Sequence, residues 1–168
     1  EILKDSRELP ANFIEDMILR APSGNIMNKL AKTVLSLYSY DEMAEDRSLS
    51  NIIRQSIELI ARFPILCAYG YQAKRHYYDN ESLFIHSSSK ELSTAENFLY
   101  LIRPTGEFTE KEAELLDLCL VLHAEHGGGN NSAFTVHVVS SAETDTYSTM
   151  AAAIGSLKGA KHGGANIK

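Results

Sequence analysis

Cysteine is scarce in this sequence, which contains only Cys67 and Cys119. Small secreted domains that rely on disulfides carry many more cysteines, and these two lie far apart in predicted helices. The sequence therefore disfavours a disulfide framework, and we expect the protein to reside in the reducing cytoplasm.

Long apolar runs and an excess of positive charge are also missing. No stretch approaches the roughly 18 residues that a membrane span needs, and the first residues lack the basic and apolar regions of a signal peptide. Lysine and arginine total 16 against 22 acidic residues, which gives a net charge of −6. We therefore expect no membrane association and no electrostatic binding of nucleic acid.

The sequence does contain enough apolar residues for a core. With 168 residues, of which 44% are hydrophobic, one domain is the simplest expectation. The sequence begins at Glu1 instead of a methionine and stops at Lys168 directly after a motif. We therefore expect residues 1–168 to be an internal piece of a longer domain.

Apolar residues recur at helical spacing through most of the chain, which predicts an all-α fold of several packed helices. Asn25 and Ser50 are expected to cap two of these helices, and Pro64 predicts either a kink or a boundary between two abutting helices. Residues 80–92 are polar and predict a mobile loop in which His86 is solvated. The helices are expected at residues 11–20, 26–40, 51–78, 94–102, 113–122 and 144 or 145 to 157.

Two segments leave alternatives open. Residues 134–138 alternate between apolar and polar in the manner of a strand, but no partner strand is predicted elsewhere, so helix or irregular structure is favoured. Residues 109–112 form a capping box. The helix that follows, at 113–122, is apolar on nearly every side, which indicates burial either in a core or between subunits.

Two clusters of histidine and glycine lie near the C-terminal end, one around His126 and the other around His162. Histidine exchanges a proton near neutral pH, and glycine lets the backbone approach a ligand closely. A pair of helices between the clusters could bring both to one pocket.

The first cluster has several interpretations. His126 could simply cap a helix at its negative end. A metal site is disfavoured because the spacing from His123 to His126 is not that of a zinc motif. A nucleotide loop is also disfavoured, since residues 127–129 follow a helix, whereas phosphate-binding glycines precede one.

His162 follows a turn and precedes two glycines at the possible start of a helix. An imidazole in that position either holds a tight turn or donates a hydrogen bond to a carbonyl that gains negative charge.

The order of the motifs resembles that of the citrate synthase family. The similar segments are residues 97–100 (NFLY), 106–109 (GEFT), 121–126 (VLHAEH), 130–135 (NNSAFT), 151–159 (AAAIGSLKG) and 162–166 (HGGAN). The sequence departs from the family at residues 25–27, where His-Pro-Met is common, and at Ala160-Lys161.

This resemblance implies an all-helical part of the family's large domain and the condensation of acetyl-CoA with oxaloacetate. It implies that His162 stabilises the enolate of acetyl-CoA and that His126 and Asn130 bind oxaloacetate. It implies no metal and no cofactor besides acetyl-CoA as substrate, and it implies a homodimer. A preference for propionyl-CoA, giving 2-methylcitrate, is an alternative.

Residues 1–168 contain no counterpart of the family's second catalytic histidine, its catalytic aspartate or its carboxylate-binding arginines. The resemblance therefore predicts a chain that is inactive alone. A helical module that self-associates without catalysis is the alternative from a different class.

Overall fold

The computed structural model describes residues 1–125 and 127–167, and within these ranges it contains helices and no strand. The α-helices are α1 (Ile2–Asp5), α2 (Ile26–Ser36), α3 (Leu49–Asp79), α4 (Thr94–Ile102), α5 (Glu110–His123), α6 (Asn131–Ser140) and α7 (Thr146–Leu157). A π-helical turn spans Ile14–Leu19, and 3₁₀ turns span Leu37–Tyr40 and Gly163–Ile167. The predicted all-α fold is confirmed.

The chain forms two compact units, each built from two separate segments. The first unit comprises residues 1–24 and 57–126, and α4 packs against α5 within it. Its most deeply buried side chains include Phe13, Ile18, Ile65, Leu66 and Leu101.

The second unit comprises residues 25–56 and 127–168. Its central element is α7, which packs against both α2 and α6. The side chains buried in its core include Leu30, Val34, Leu37, Tyr147 and Ile154.

Short polar side chains start most of the helices, as the sequence predicts. Asn25 accepts a hydrogen bond from the Asn28 N–H, and Thr109 with Glu112 forms the predicted capping box. The prediction for α3 is wrong by two residues, because the hydroxyl of Ser48 and not that of Ser50 accepts from the Asn51 N–H. Pro64 lies inside one continuous helix.

The first predicted helix is shorter than expected and is π-helical. Asn12 has a φ of 61°, which breaks the regular helix before Ile14. Phe13 and Ile18 nevertheless provide the apolar contacts that the pattern indicated, and both are fully buried.

The loop of residues 80–92 is held by hydrogen bonds, so the prediction that His86 is solvated is wrong. The Tyr69 hydroxyl donates to the His86 carbonyl at 2.7 Å. The His86 Nε2 lies 3.0 Å from the carbonyl oxygens of both Arg103 and Pro104, to which it donates. A second anchor is the Asn97 side chain, whose Oδ1 accepts from the Ser89 N–H at 2.9 Å.

Residues 134–138 lie in α6, which confirms the preference for helix over strand. The expectation for 113–122 needs a correction. In α5 only Ala113 is buried, whereas Leu115, Val121 and Leu122 are each more than 60% exposed. The alternative that residues 113–122 are buried in this chain's own core is therefore wrong. The alternative that they are buried between subunits stays a prediction.

Candidate functional site

The backbone around His162 is a compact turn that follows α7. The His162 N–H donates to the Gly159 carbonyl at 2.9 Å, and the His162 carbonyl accepts from the Ala165 N–H at 3.0 Å. Gly163 passes so close to α7 that a Cβ there would lie 2.5 Å from the Leu157 carbonyl oxygen. Glycine is therefore required next to His162, and the imidazole is held half-buried at a fixed point beyond the helix.

The imidazole of His162 contacts the first turn of α6. Its Nε2 lies 2.9 Å from the Ser132 Oγ. When the serine hydroxyl donates to Nε2, the proton of the neutral imidazole lies on Nδ1, and Nδ1–H can donate to another group. Ser132 can thereby fix both the orientation and the tautomer of His162.

Asn130 caps α6. Its Oδ1 accepts from the Ala133 N–H at 2.9 Å, and its Nδ2 donates to the Gly127 carbonyl at 3.2 Å. An amide has two N–H donors, so one hydrogen of Asn130 Nδ2 is still available to a ligand. Of the predicted convergence of the two clusters, the structure shows the contact between Ser132 and His162, both in the second unit. Asn130 precedes Ser132 by two residues in the sequence.

His123 of the first cluster forms a hydrogen bond within its own helix. His126, predicted to bind oxaloacetate, lies outside the described residues. The Nδ1 of His123 donates to the Cys119 carbonyl at 2.7 Å, one helical turn earlier. The structure therefore gives His123 a local role at the end of α5. Among residues 1–125 and 127–167, no three histidine, cysteine, aspartate or glutamate side chains meet in a group that could hold a metal ion.

A polar network around Asp41 fixes the start of α7. Both oxygens of the Asp41 carboxylate accept a hydrogen bond from Arg54 Nη2, at 2.9 and 2.8 Å. The carboxylate also accepts from Gln55 Nε2 at 3.0 Å and from the Tyr147 hydroxyl at 2.8 Å. Thr146 donates to Gln55 Oε1 at 2.6 Å. Burial by itself raises the pKa of Asp41, but the hydrogen bonds outweigh it and lower the pKa to about 2. An ionised Asp41 therefore anchors the helix that leads to the turn of His162.

Lys29 of α2 is another polar residue of the second unit, and it is only 2% exposed. Burial, followed by the nearby charge of Lys32, lowers the pKa of Lys29 to about 8. Sequence reasoning missed both Asp41 and Lys29. Residues 41–48 resembled an ordinary acidic loop, and no local pattern distinguishes a buried lysine from a surface one.

The sequence model described as "Citrate synthase, C-terminal domain" matches residues 1–168. A citrate synthase from Deinococcus radiodurans is 39% identical to the chain, and the alignment covers 98% of this chain and 41% of that protein. A citrate/2-methylcitrate synthase from Bacillus subtilis is 32% identical, with 98% of this chain and 42% of that protein covered.

A similar fold is present in the crystal structure of citrate synthase from Pyrobaculum aerophilum. The TM-score is 0.83 at 32% identity, and the match covers 99% of this chain and 42% of that one. The chain thus spans about two fifths of the length of these relatives.

Proposed function

The chain belongs to the citrate synthase family, and we propose that it supplies part of an active site that condenses acetyl-CoA with oxaloacetate. The methyl carbon of acetyl-CoA loses a proton and forms a bond to the ketone carbon of oxaloacetate. Water then cleaves the thioester, which yields citrate and free CoA. The observation that carries this proposal is the 2.9 Å contact of Ser132 with His162, because it fixes an imidazole from one family motif against a residue of another.

His162 is the catalytic residue in this proposal. Ser132 donates to its Nε2, and its Nδ1–H donates to the thioester oxygen as that oxygen gains charge in the enolate. Such a hydrogen bond is stronger in the transition state than in the ground state, which is the condition for raising kcat.

His126 and Asn130 bind oxaloacetate in this proposal. Asn130 retains an amide hydrogen for a carboxylate or carbonyl oxygen of the substrate. The role of His126 rests on its match to the family motif.

The experiment that tests these roles compares two variants of the full-length protein by steady-state kinetics. His162→Ala should lower kcat by about 10²–10³, the usual loss for one hydrogen bond to a developing oxyanion. His126→Ala should chiefly raise the KM for oxaloacetate. If both variants gave the same kinetic pattern, this division of roles would be wrong.

We further propose that residues 1–168 alone are inactive. Catalytic groups act as a unit, and the loss of any one of them is severe. A thiol-release assay with acetyl-CoA and oxaloacetate should detect no turnover by this polypeptide. Turnover that disappears in His162→Ala would contradict the proposal.

A second candidate is 2-methylcitrate synthesis from propionyl-CoA. The relative from Bacillus subtilis named as a citrate/2-methylcitrate synthase favours it. The two are distinguished by the ratio of kcat/KM for acetyl-CoA to that for propionyl-CoA in the full-length protein.

The protein also self-associates in this proposal. It forms a homodimer if it is part of the enzyme, and in the non-catalytic alternative it is a helical module whose role is self-association itself. The support is the exposed apolar surface of α5.

We place the protein in the cytoplasm, with no cofactor beyond acetyl-CoA as substrate. No helix within the described ranges has the length and apolarity needed to cross a membrane.

A further inference from the structure

A cavity of about 340 Å³ lies in the first unit, beside the segment that leads into the π-helical turn. Leu9, Ile14 and Ile65 form the apolar part of its wall. A half-open cavity of this size has room for a small organic molecule. The proposed condensation uses none of these residues.

Arg7 lines this cavity, and the residue as a whole is only 5% exposed. Its Nη1 donates to the carbonyl oxygens of Ser89 at 2.8 Å and Leu92 at 2.7 Å, and its Nη2 lies 3.5 Å from the Thr94 hydroxyl. All three acceptors are neutral. A guanidinium has five N–H donors, so two are left for a further acceptor.

No carboxylate within the described part of the chain forms an ion pair with Arg7. A buried charge without a counter-ion destabilises the folded protein, and its burial lowers the pKa of Arg7. An anion in the cavity would remove that penalty. A carboxylate suits the guanidinium because its two oxygens match two parallel N–H donors.

Lys90 adds a second positive charge to the cavity wall. Its Nζ is 3.7 Å from the Asp5 carboxylate, and both side chains are at least 60% exposed. A surface pair of this kind is weak and leaves Lys90 able to bind an anion. Glu8 also lines the cavity and would repel a ligand with several negative charges.

We propose that this cavity binds a small organic monocarboxylate. The carboxylate lies between Arg7 and Lys90, and the apolar body lies against Leu9, Ile14 and Ile65. The ligand would stabilise the first unit, because a molecule that binds only the folded state raises the free energy of unfolding.

Isothermal titration calorimetry with hexanoate tests the proposal. Hexanamide has the same shape without the charge, and it should bind about tenfold or more weakly because it loses charge-assisted hydrogen bonds. Inorganic phosphate has the charge without the apolar body and should also bind more weakly. Equal affinity for hexanoate and hexanamide, equal affinity for hexanoate and phosphate, or no saturable binding of hexanoate would each overturn the proposal.

Lys90→Glu provides the matching change in the protein, because it reverses an exposed charge without removing the hydrogen bonds of Arg7. We expect it to weaken hexanoate binding at least about threefold, as for the loss of a surface charge interaction. Lys111→Glu makes the same charge change at an exposed position of α5 away from the cavity lining and should leave the affinity unchanged. An equal effect of both variants would refute a specific role for Lys90.

Discussion

Ser132 is the side chain that holds the His162 imidazole in place, through a hydrogen bond of 2.9 Å. Ser132→Ala removes that hydrogen bond but leaves the imidazole present. We expect kcat of the full-length protein to fall about 3- to 10-fold, as for the loss of one hydrogen bond between neutral groups.

Ser132→Thr is the control for this effect, since it retains a hydroxyl on the same carbon. It should recover part of the lost kcat, and the thermal melting temperature should be similar for both variants. A loss of stability that accounts for the whole fall in activity would contradict the positioning role of Ser132.

Asp41 makes the stability of the second unit dependent on pH. Its pKa in the folded protein, about 2, is below that of an unfolded aspartate, about 3.9. The ionised form therefore favours the folded state, so its contribution is complete above about pH 4 and is lost as the pH falls toward 2. Asp41→Asn should lower the free energy of unfolding at pH 7 by about 1–3 kcal/mol.

Urea denaturation at several pH values measures the difference in the free energy of unfolding between Asp41→Asn and the wild type. This difference should shrink as the pH falls from about 4 toward 2. Glu42→Gln removes a negative charge from the adjacent exposed residue and should have little effect. A difference between Asp41→Asn and the wild type that is independent of pH would contradict the assigned role.

Residues whose roles depend on neighbours in sequence could be predicted, and those that depend on distant contacts could not. The turn at His162 was predictable from the glycines beside it. The hydrogen bond between Asp41 and Tyr147 joins residues 106 positions apart. Neither residue has a local pattern that indicates the other, because their proximity results from the packing of helices.

At the scale of elements, two glycines offer a matched pair of substitutions. Gly106 has a φ of +71°, and a Cβ there would lie 2.7 Å from the Tyr100 ring. Gly155 is exposed inside α7, and a Cβ there would meet no heavy atom within 4 Å apart from its chain neighbours and the helix's own backbone. Gly106→Ala should therefore lower the free energy of unfolding by more than about 1 kcal/mol.

Gly155→Ala should raise the free energy of unfolding by about 0.5–1 kcal/mol, because alanine is the better helix former. Chemical denaturation of both variants makes the comparison. A loss of stability in Gly155→Ala would show that α7 has a close neighbour at that position.

The starts of α2 and α5 were predictable, because a cap is a local hydrogen bond with a strong residue preference. The cap of α3 was predicted two residues too late. The ambiguous α6 was also assigned correctly, since an isolated strand cannot satisfy its backbone. Burial was less predictable. Residues 113–122 of α5 are apolar on nearly every side. That pattern fits burial by a partner subunit as well as burial in the chain's own core, so the sequence could not distinguish between the two.

At the scale of the whole molecule, the exposed leucines of α5 are expected to mediate self-association. Leu115, Leu118 and Leu122 are spaced along one side of the helix and are 64%, 54% and 67% exposed. In a two-fold interface one introduced charge appears twice. Leu118→Lys should therefore convert a dimer into monomer or aggregate, as measured by sedimentation at several concentrations.

Leu49→Lys is the matched control, because it places the same charge at a leucine of α3 that is 73% exposed. It should leave the sedimentation coefficient unchanged. A wild-type protein that stays monomeric at high micromolar concentration would refute self-association.

The second unit joins residues that are synthesised early to residues that are synthesised late. The residues of the first unit have all been synthesised once residue 126 has been added. The hydrogen bond between Asp41 and Tyr147 in the second unit cannot form until Tyr147 has been synthesised. At the usual rate of translation, the 106 residues between the hydrogen-bonded partners take roughly 5–20 s to add. During that interval Leu30 and Val34 of α2 have no α7 to cover them. On the ribosome, the first unit can therefore fold before the second, and the apolar side chains of α2 stay uncovered by α7 until that helix emerges.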